Sequence, residues 1–284
     1  LQDAKKVCKK LSIPLHHVNF SKEYADLVFK DFLYEYKNGR TPNPDILCNR
    51  EIKFGVFITY AKRLGAKYIA TGHYADLNKN IDSTELIKPK DKNKDQTYFL
   101  HAVNEAALKQ TLFPLCNLTK SEVRDIAKMN GLLNYDKKDS TGICFIGERP
   151  FREFLEKFLP AQPGAMIDND GNIIGQHQGL MYYTIGQRQG LNIGGRKDSN
   201  NEPWYVLKKD LTTNTLTVVQ GDHDDLYSRS LIVSNFSWIG SAEELILGTK
   251  TINCHGKVRY RQPDQACKAE LLKDNKIKIV FDEP

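Results

Sequence analysis

Two prolines, a carboxylate and a cysteine stand together in Arg40-Thr-Pro-Asn-Pro-Asp-Ile-Leu-Cys-Asn49. Pro42 and Pro44 push Thr41 and Asn43 out of the helical region, and Asn43 and Asp45 can bond their own backbone, so the segment holds a defined loop. Asp45 and Cys48 are three positions apart. If Asp45 opens a helix that runs through Ile52, both side chains fall on one side of its first turn, where the helix dipole biases a thiol toward the nucleophilic thiolate. The plainer alternatives are an N-capping carboxylate and a small buried hydrophobe. A second cysteine, Cys144, lies in the apolar run Ile143-Cys-Phe-Ile146 between Gly142 and Gly147, and the same two readings, thiol chemistry or core packing, apply to it. In Lys67-Tyr-Ile-Ala70 followed by Thr71-Gly-His-Tyr-Ala-Asp76 a buried strand runs into a glycine. Ligands of open parallel sheets sit beyond the carboxyl ends of strands, where Gly72 lets the backbone approach a nucleotide. His73 is either a ligand contact or a packed ring.

The elements that must position these groups follow from the apolar pattern. Ala4, Val7, Cys8 and Leu11 recur at helical spacing until Pro14, the run Leu15 to Phe20 predicts a short strand, and Tyr24, Leu27, Val28, Phe32 and Leu33 predict a helix. Val56, Phe57, Tyr60, Ala61 and Leu64 give another helical face closed by Gly65. Thr119-Lys-Ser-Glu122 is a capping box for a helix ended by Gly131. After one more helix at Phe151, Phe154, Leu155 and Phe158, helices nearly vanish and glycine-punctuated β segments take over. Lys257 to Gln262 and Lys276 to Phe281 alternate as strands. The expectation is an α/β region followed by two small β-rich ones, with no internal repeat.

Composition sets outer limits. The 284 residues, 40% hydrophobic, suffice for a sizeable core. No apolar run approaches the roughly 20 residues that span a bilayer, and the start LQDAKKVCKKL lacks signal-peptide architecture, which predicts a cytoplasmic setting. The six cysteines include no CxxC pair and no zinc-type spacing, so thiol chemistry is expected and a protein-bound metal is not. A net charge of +6 permits a nucleic-acid partner without demanding one.

The segments NPDILCNREIKF, ATGHYAD, NKDQTYFL, DSTGICFIGER, IGQRQGL and KVRYRQ follow one another across nearly the whole chain. Together they resemble the tRNA-specific 2-thiouridylase family. The resemblance implies a Rossmann-like ATP-pyrophosphatase (adenine nucleotide alpha hydrolase-like) domain over 1–150, a small central domain over 151–222 and a C-terminal β-barrel over 223–284. It implies an enzyme that adenylates the C2 oxygen of the wobble uridine of tRNA with ATP, with Mg2+ alongside, and replaces that oxygen with sulfur from a cysteine persulfide. A protein that donates persulfide sulfur is the implied partner besides tRNA, and the implied setting is bacterial cytoplasm, or the mitochondrial matrix in a eukaryote. Carried over residue by residue, Cys144 holds the persulfide, Cys48 is the nucleophile that discharges it, and the two form a transient disulfide. Asn43, Pro44 and Asp45 meet the target base, with Asp45 a candidate base catalyst. Gly72 goes to ATP, and His73, Lys94, Asp95, Gln96, Arg259 and Tyr260 go to tRNA; guanidinium grips phosphate and a tyrosine ring stacks on a splayed base. The family's Ser-Gly-Gly-x-Asp-Ser phosphate loop is expected upstream of Leu1 and a further strand segment beyond Pro284, so the chain is expected to be a piece of a longer one.

Two other readings are consistent with parts of this pattern. A noncatalytic RNA-binding module would keep the tRNA surface and lack the phosphate loop. Another ATP-pyrophosphatase, such as an amidotransferase or a ligase, would not need two convergent cysteines.

Overall fold

The computed structural model describes residues 1–81, 83–138, 150–194 and 202–284. They gather into two compact units. One holds Leu1–Val28, the described residues from Asp45 to Lys138, and Ile232–Asp282; the other holds Phe29–Pro44, the described residues from Pro150 to Leu231, and the last two residues.

In the first unit, strand β1 (Ile69–Ala70) pairs with β4 (Thr111–Leu112) in parallel, and β2 (Asp76–Lys79) pairs with β3 (Thr84–Ile87) in an antiparallel hairpin. A core of Phe54, Ile58, Ile69, Ala75, Leu100, Val103, Leu108 and Phe113 fills the space between β1 and the helix formed by Phe57–Arg63. Helix ends match their signals: the capping box of Thr119 and Glu122 is formed, and Asn104 caps Glu105–Lys109 through Ala107 N–H. The run Leu15 to Phe20, expected as a strand, is irregular and largely exposed. Its alternation is interrupted by His16 and His17, and no partner strand is available to it among the described residues.

The second unit is built around the sheet β6-β5-β8-β7, made of β5 (Gly164–Ile167), β6 (Ile173–His177), β7 (Trp204–Asp210) and β8 (Thr215–Gln220). Met166, Leu180, Tyr183, Val206, Leu216 and Val218 form its core. A separate aromatic cluster joins the helices Lys30–Lys37 and Phe151–Glu156 through Phe32, Tyr36, Phe151 and Phe154. Gly164 opens β5 because nothing larger fits: an added Cβ would lie 2.2 Å from the Asn214 carbonyl oxygen and 2.7 Å from His177 Nε2. His177 is fully buried and its ring is held between two backbone groups, Nδ1 accepting from Gly179 N–H at 3.1 Å and Nε2 donating to the Asn214 carbonyl at 3.0 Å. Neither neighbour can yield without losing a buried hydrogen bond. Gly164→Ala is therefore expected to destabilise the chain by about 1–3 kcal/mol, the usual range for overpacking, read as a lower urea midpoint.

The first unit also contains the chain's last β structure, β9 (Ser230–Val233), β10 (Thr251–Gly256), β11 (Gln265–Leu271) and β12 (Ile277–Phe281), in the order β10-β11-β12-β9. Ile246, Ala269 and Ile277 are its buried centre. Cys254 and Cys267 face each other across β10 and β11 with Sγ atoms 3.6 Å apart, and burial pushes the Cys267 thiol up to about 11. At neutral pH Cys267 is a packed thiol.

One predicted strand is a loop. Lys257 to Gln262 connect β10 to β11, and Gln262 Oε1 accepts from Val258 N–H at 3.0 Å and Arg259 N–H at 3.1 Å where a partner strand would have stood. Arg261 adopts φ +68°, a left-handed conformation that no extended strand tolerates. Among the described residues no helix is long and apolar enough to cross a membrane.

Candidate active site and nucleic-acid surface

The helix that carries Cys48 begins one residue earlier than its sequence suggests. Pro44 is its first residue, a position where the missing N–H costs nothing, and Asp45 lies inside the first turn rather than capping it. Cys48 is thus the fifth helical residue. From Cys48 to Val56 the helix is wound as a π-helix, and it returns to α geometry at Phe57–Arg63. An extended π segment is uncommon and frequently marks a functional site. It also fixes Gly55, where an added Cβ would sit 3.0 Å from the Arg50 carbonyl oxygen.

Cys48 packs with Val28 and Ile52 and is 6% exposed. The burial that the hydrophobe reading expects is present, so the thiol must be uncovered to react. Burial also raises the Asp45 carboxyl above its ordinary range, an effect the Lys53 ammonium opposes. A carboxylate shifted this way is a better proton acceptor than an exposed one. Asn43 and Pro44 directly precede Asp45, Asn43 just before the helix and Pro44 buried at its start. Cys144 lies outside the described residues.

Gly72 directly follows Thr71 at the carboxyl end of β1, and no atom lies within 4 Å of where its side chain would begin. The backbone is open there, as contact with a nucleotide requires. His73 is placed differently from an exposed cation. Its Nδ1 is 2.8 Å from the Thr71 hydroxyl, and its ring lies 5.7 Å from Phe54 and 6.4 Å from Phe113. Burial, helped by the Lys53 charge, lowers its pKa to about 4, so the ring is neutral at physiological pH and offers hydrogen bonds, not charge. Because the folded pKa is depressed below the ordinary 6.5, the stabilisation is complete above pH 6.5 and is lost as pH falls toward about 4. His73→Gln is expected to flatten the loss of stability over that window, measured as urea midpoints at stepped pH.

The five remaining sequence-predicted contacts converge. Gln96 N–H donates to the Tyr74 carbonyl at 3.0 Å, and Gln96 Oε1 accepts from Tyr74 N–H at 2.9 Å, which ties this loop to the segment carrying Gly72 and His73. Asp95 is 9% exposed; its Oδ1 accepts from Thr97 N–H and Oγ–H, and its Oδ2 meets Lys257 Nζ at 3.4 Å. Tyr260 lies with its ring 4.5 Å from Phe99 and 6.1 Å from Tyr98, whose hydroxyl donates to the Val258 carbonyl at 3.2 Å. Arg259 and Tyr260 therefore sit beside Lys94, Asp95 and Gln96, although some 160 residues separate the two segments in the chain.

Sequence reasoning passed over three residues here. Lys53 acts electrostatically on both Asp45 and His73; a lysine on a helix reads as a solvated charge, and only its place inside NPDILCNREIKF marked it. Asn49 is 2% exposed and donates from Nδ2 to the Phe99 carbonyl at 2.9 Å, joining the Cys48 helix to the loop that carries Gln96. Lys257 is the third.

Three family models match the chain in succession. Residues 1–148 match the family described as tRNA methyl transferase HUP domain, 152–220 the tRNA methyl transferase PRC-barrel domain, and 228–284 the aminomethyltransferase beta-barrel domain. The chain is 54% identical over its whole length to the tRNA-specific 2-thiouridylase MnmA of Francisella tularensis subsp. holarctica (strain FTNF002-00 / FTA). The chain belongs to the tRNA-specific 2-thiouridylase family. Relatives of that name from Francisella tularensis subsp. novicida (strain U112) and subsp. tularensis (strain WY96-3418) are 54% and 53% identical, again over 100% of this chain and 79% of their own length. As a 2-thiouridylase family member the chain has a HUP domain, a PRC-barrel and a C-terminal β-barrel, and the HUP domain implies use of ATP.

Proposed function

We propose that this chain is a sulfurtransferase that converts the wobble uridine of tRNA to 2-thiouridine, and the observation that carries the reading is the 54% identity to a tRNA-specific 2-thiouridylase over the whole of this chain. ATP, with Mg2+ as its counter-ion, supplies the activation that turns the C2 oxygen into a leaving group departing with AMP. The residues that would hold it include Gly72, whose open backbone fits close approach of a phosphate or ribose. Gly72→Ala introduces no clash and no left-handed strain, so its expected effect is weaker ATP binding at unchanged melting temperature, measured by calorimetry of the full-length enzyme.

Asn43, Pro44 and Asp45 are assigned to the target uridine, with Asp45 as proton acceptor or orienter. The terminal sulfur of a Cys144 persulfide bonds to C2 as the activated oxygen leaves. The Cys48 thiolate then attacks the Cys144 Sγ, the S–S bond breaks, and its outer sulfur stays on the base as 2-thiouridine while a Cys48–Cys144 disulfide forms. A thiol reductant must reopen that disulfide before the next turnover, and a persulfide-bearing donor protein reloads Cys144. Lys94, Asp95, Gln96, Arg259 and Tyr260 form the tRNA surface, with His73 as a neutral hydrogen-bonding neighbour. The bacterial relatives favour a cytoplasmic setting.

The test is direct. The full-length enzyme, an unmodified tRNA transcript, ATP, a persulfide as sulfane-sulfur donor and a thiol reductant are incubated, and nucleosides from the digested tRNA are resolved by mass spectrometry. ATP-dependent 2-thiouridine is expected; thiolation that ignores ATP, or none with a fully folded enzyme, contradicts the assignment.

A further inference from the structure

Lys257 carries no role in the reading above, yet it occupies the junction of the two tRNA-contact segments. Its Nζ meets Asp95 Oδ2 at 3.4 Å, and the two side chains are only 16% and 11% exposed. Asp95 is at the same time the residue that shapes its own loop, accepting from both Thr97 N–H at 2.9 Å and Thr97 Oγ–H at 2.6 Å. On one side of it Gln96 is fastened to Tyr74 by two backbone-directed hydrogen bonds. On the other side of the ion pair, Lys257 opens the loop whose left-handed Arg261 and Gln262-bonded amides present Arg259 and Tyr260. A second charged contact runs alongside, Lys88 with Asp264.

We infer that Lys257 is a positioning residue for tRNA: its ion pair with Asp95 sets the spacing between Lys94 and Gln96 on one loop and Arg259 and Tyr260 on the other. This rests on the reading of those four residues as tRNA contacts. A shielded pair of this kind suits a geometric role. Breaking it from one side leaves a mostly buried carboxylate without its cation, whereas a lysine spent on Asp95 neutralises no phosphate.

That difference makes the inference testable by salt dependence. Affinity of the full-length enzyme for a tRNA transcript with uridine at the first anticodon position is measured from low to high salt for wild type, Lys257→Met, Lys257→Arg and Arg259→Ala. Lys257→Met should bind about tenfold more weakly with the wild-type slope of log Kd against log salt, while Arg259→Ala should lower the slope by about 1. Lys257→Arg, which keeps the cation, should recover most of the affinity. If Lys257→Met does not fold, judged by circular dichroism, Lys257→Gln removes the charge and keeps a polar end, and the same loss at the same slope is expected. Wild-type affinity in the folded uncharged variant, a slope reduced as in Arg259→Ala, or a folded Lys257→Arg as weak as that variant would each overturn the inference. A wild-type enzyme whose tRNA binding shows no salt dependence would instead overturn the tRNA surface itself.

Discussion

Replacing Cys48 with serine should reduce 2-thiouridine formation to background while the enzyme still folds and still binds tRNA. Serine nearly matches cysteine in volume, so the small core of Val28, Cys48 and Ile52 keeps its shape. What it loses is the thiolate, for which a hydroxyl is no substitute in thiol–disulfide exchange. Cys144→Ser should be equally inactive for a different reason: no persulfide can be loaded there. Cys116→Ser is the control. Cys116 is half-buried, and burial together with the Asp76 carboxylate raises its thiol pKa, so it is a poor thiolate and its loss should leave activity at the wild-type level. A Cys48→Ser enzyme that thiolates tRNA at the wild-type rate would return Cys48 to a packing role.

The second large effect is expected at Asp45. Its carboxyl is raised by burial, against the opposing Lys53 charge, so the folded protein holds the Asp45 proton more tightly than the unfolded chain does, and ionising Asp45 costs stability as pH climbs through the raised value. Asn at this position is neutral at every pH. Asp45→Asn should therefore lower kcat by about 10²- to 10⁴-fold, the range for loss of a general base, with a melting temperature at neutral pH equal to or above wild type. The pH profile gives an independent reading: wild-type activity should fall on the acid side as the carboxylate is protonated, above the pH at which an ordinary aspartate titrates, and Asp45→Asn should lack that limb. A variant that retains wild-type kcat would leave Asp45 with a structural role only.

The parts legible in the sequence are those set by neighbours along the chain. Helical spacing around Cys48, the capping box at Thr119 and the glycine after β1 are local, and each is found where its pattern places it. The Cys48 helix starts at Pro44 and not at Asp45: Asp45 is a good helix opener and Pro44 an equally good first residue, and the pattern alone does not rank them. Lys257 to Gln262 reads as a strand because Lys, Val, Arg, Tyr and Arg alternate; the structure makes it a loop because a side chain, Gln262, takes the amides that a partner strand would have taken. Lys53 and Lys257 lie within NPDILCNREIKF and KVRYRQ, but nothing local assigns either a role. Their roles depend on which buried groups lie beside them, and Asp95 is 162 positions from Lys257. Asp95 and His73 were legible as members of the site, but not in the form they take: a buried turn-former and a neutral, packed ring.

The two-thiol mechanism is tested most directly by a single turnover without reductant. Enzyme carrying a persulfide on Cys144 is given ATP and one equivalent of unmodified tRNA, then quenched at low pH with an alkylating agent and digested for peptide mass spectrometry. The account predicts a disulfide between the Cys48 and Cys144 peptides in proportion to the 2-thiouridine formed. Full yield of 2-thiouridine with both cysteines recovered as alkylated thiols would contradict it.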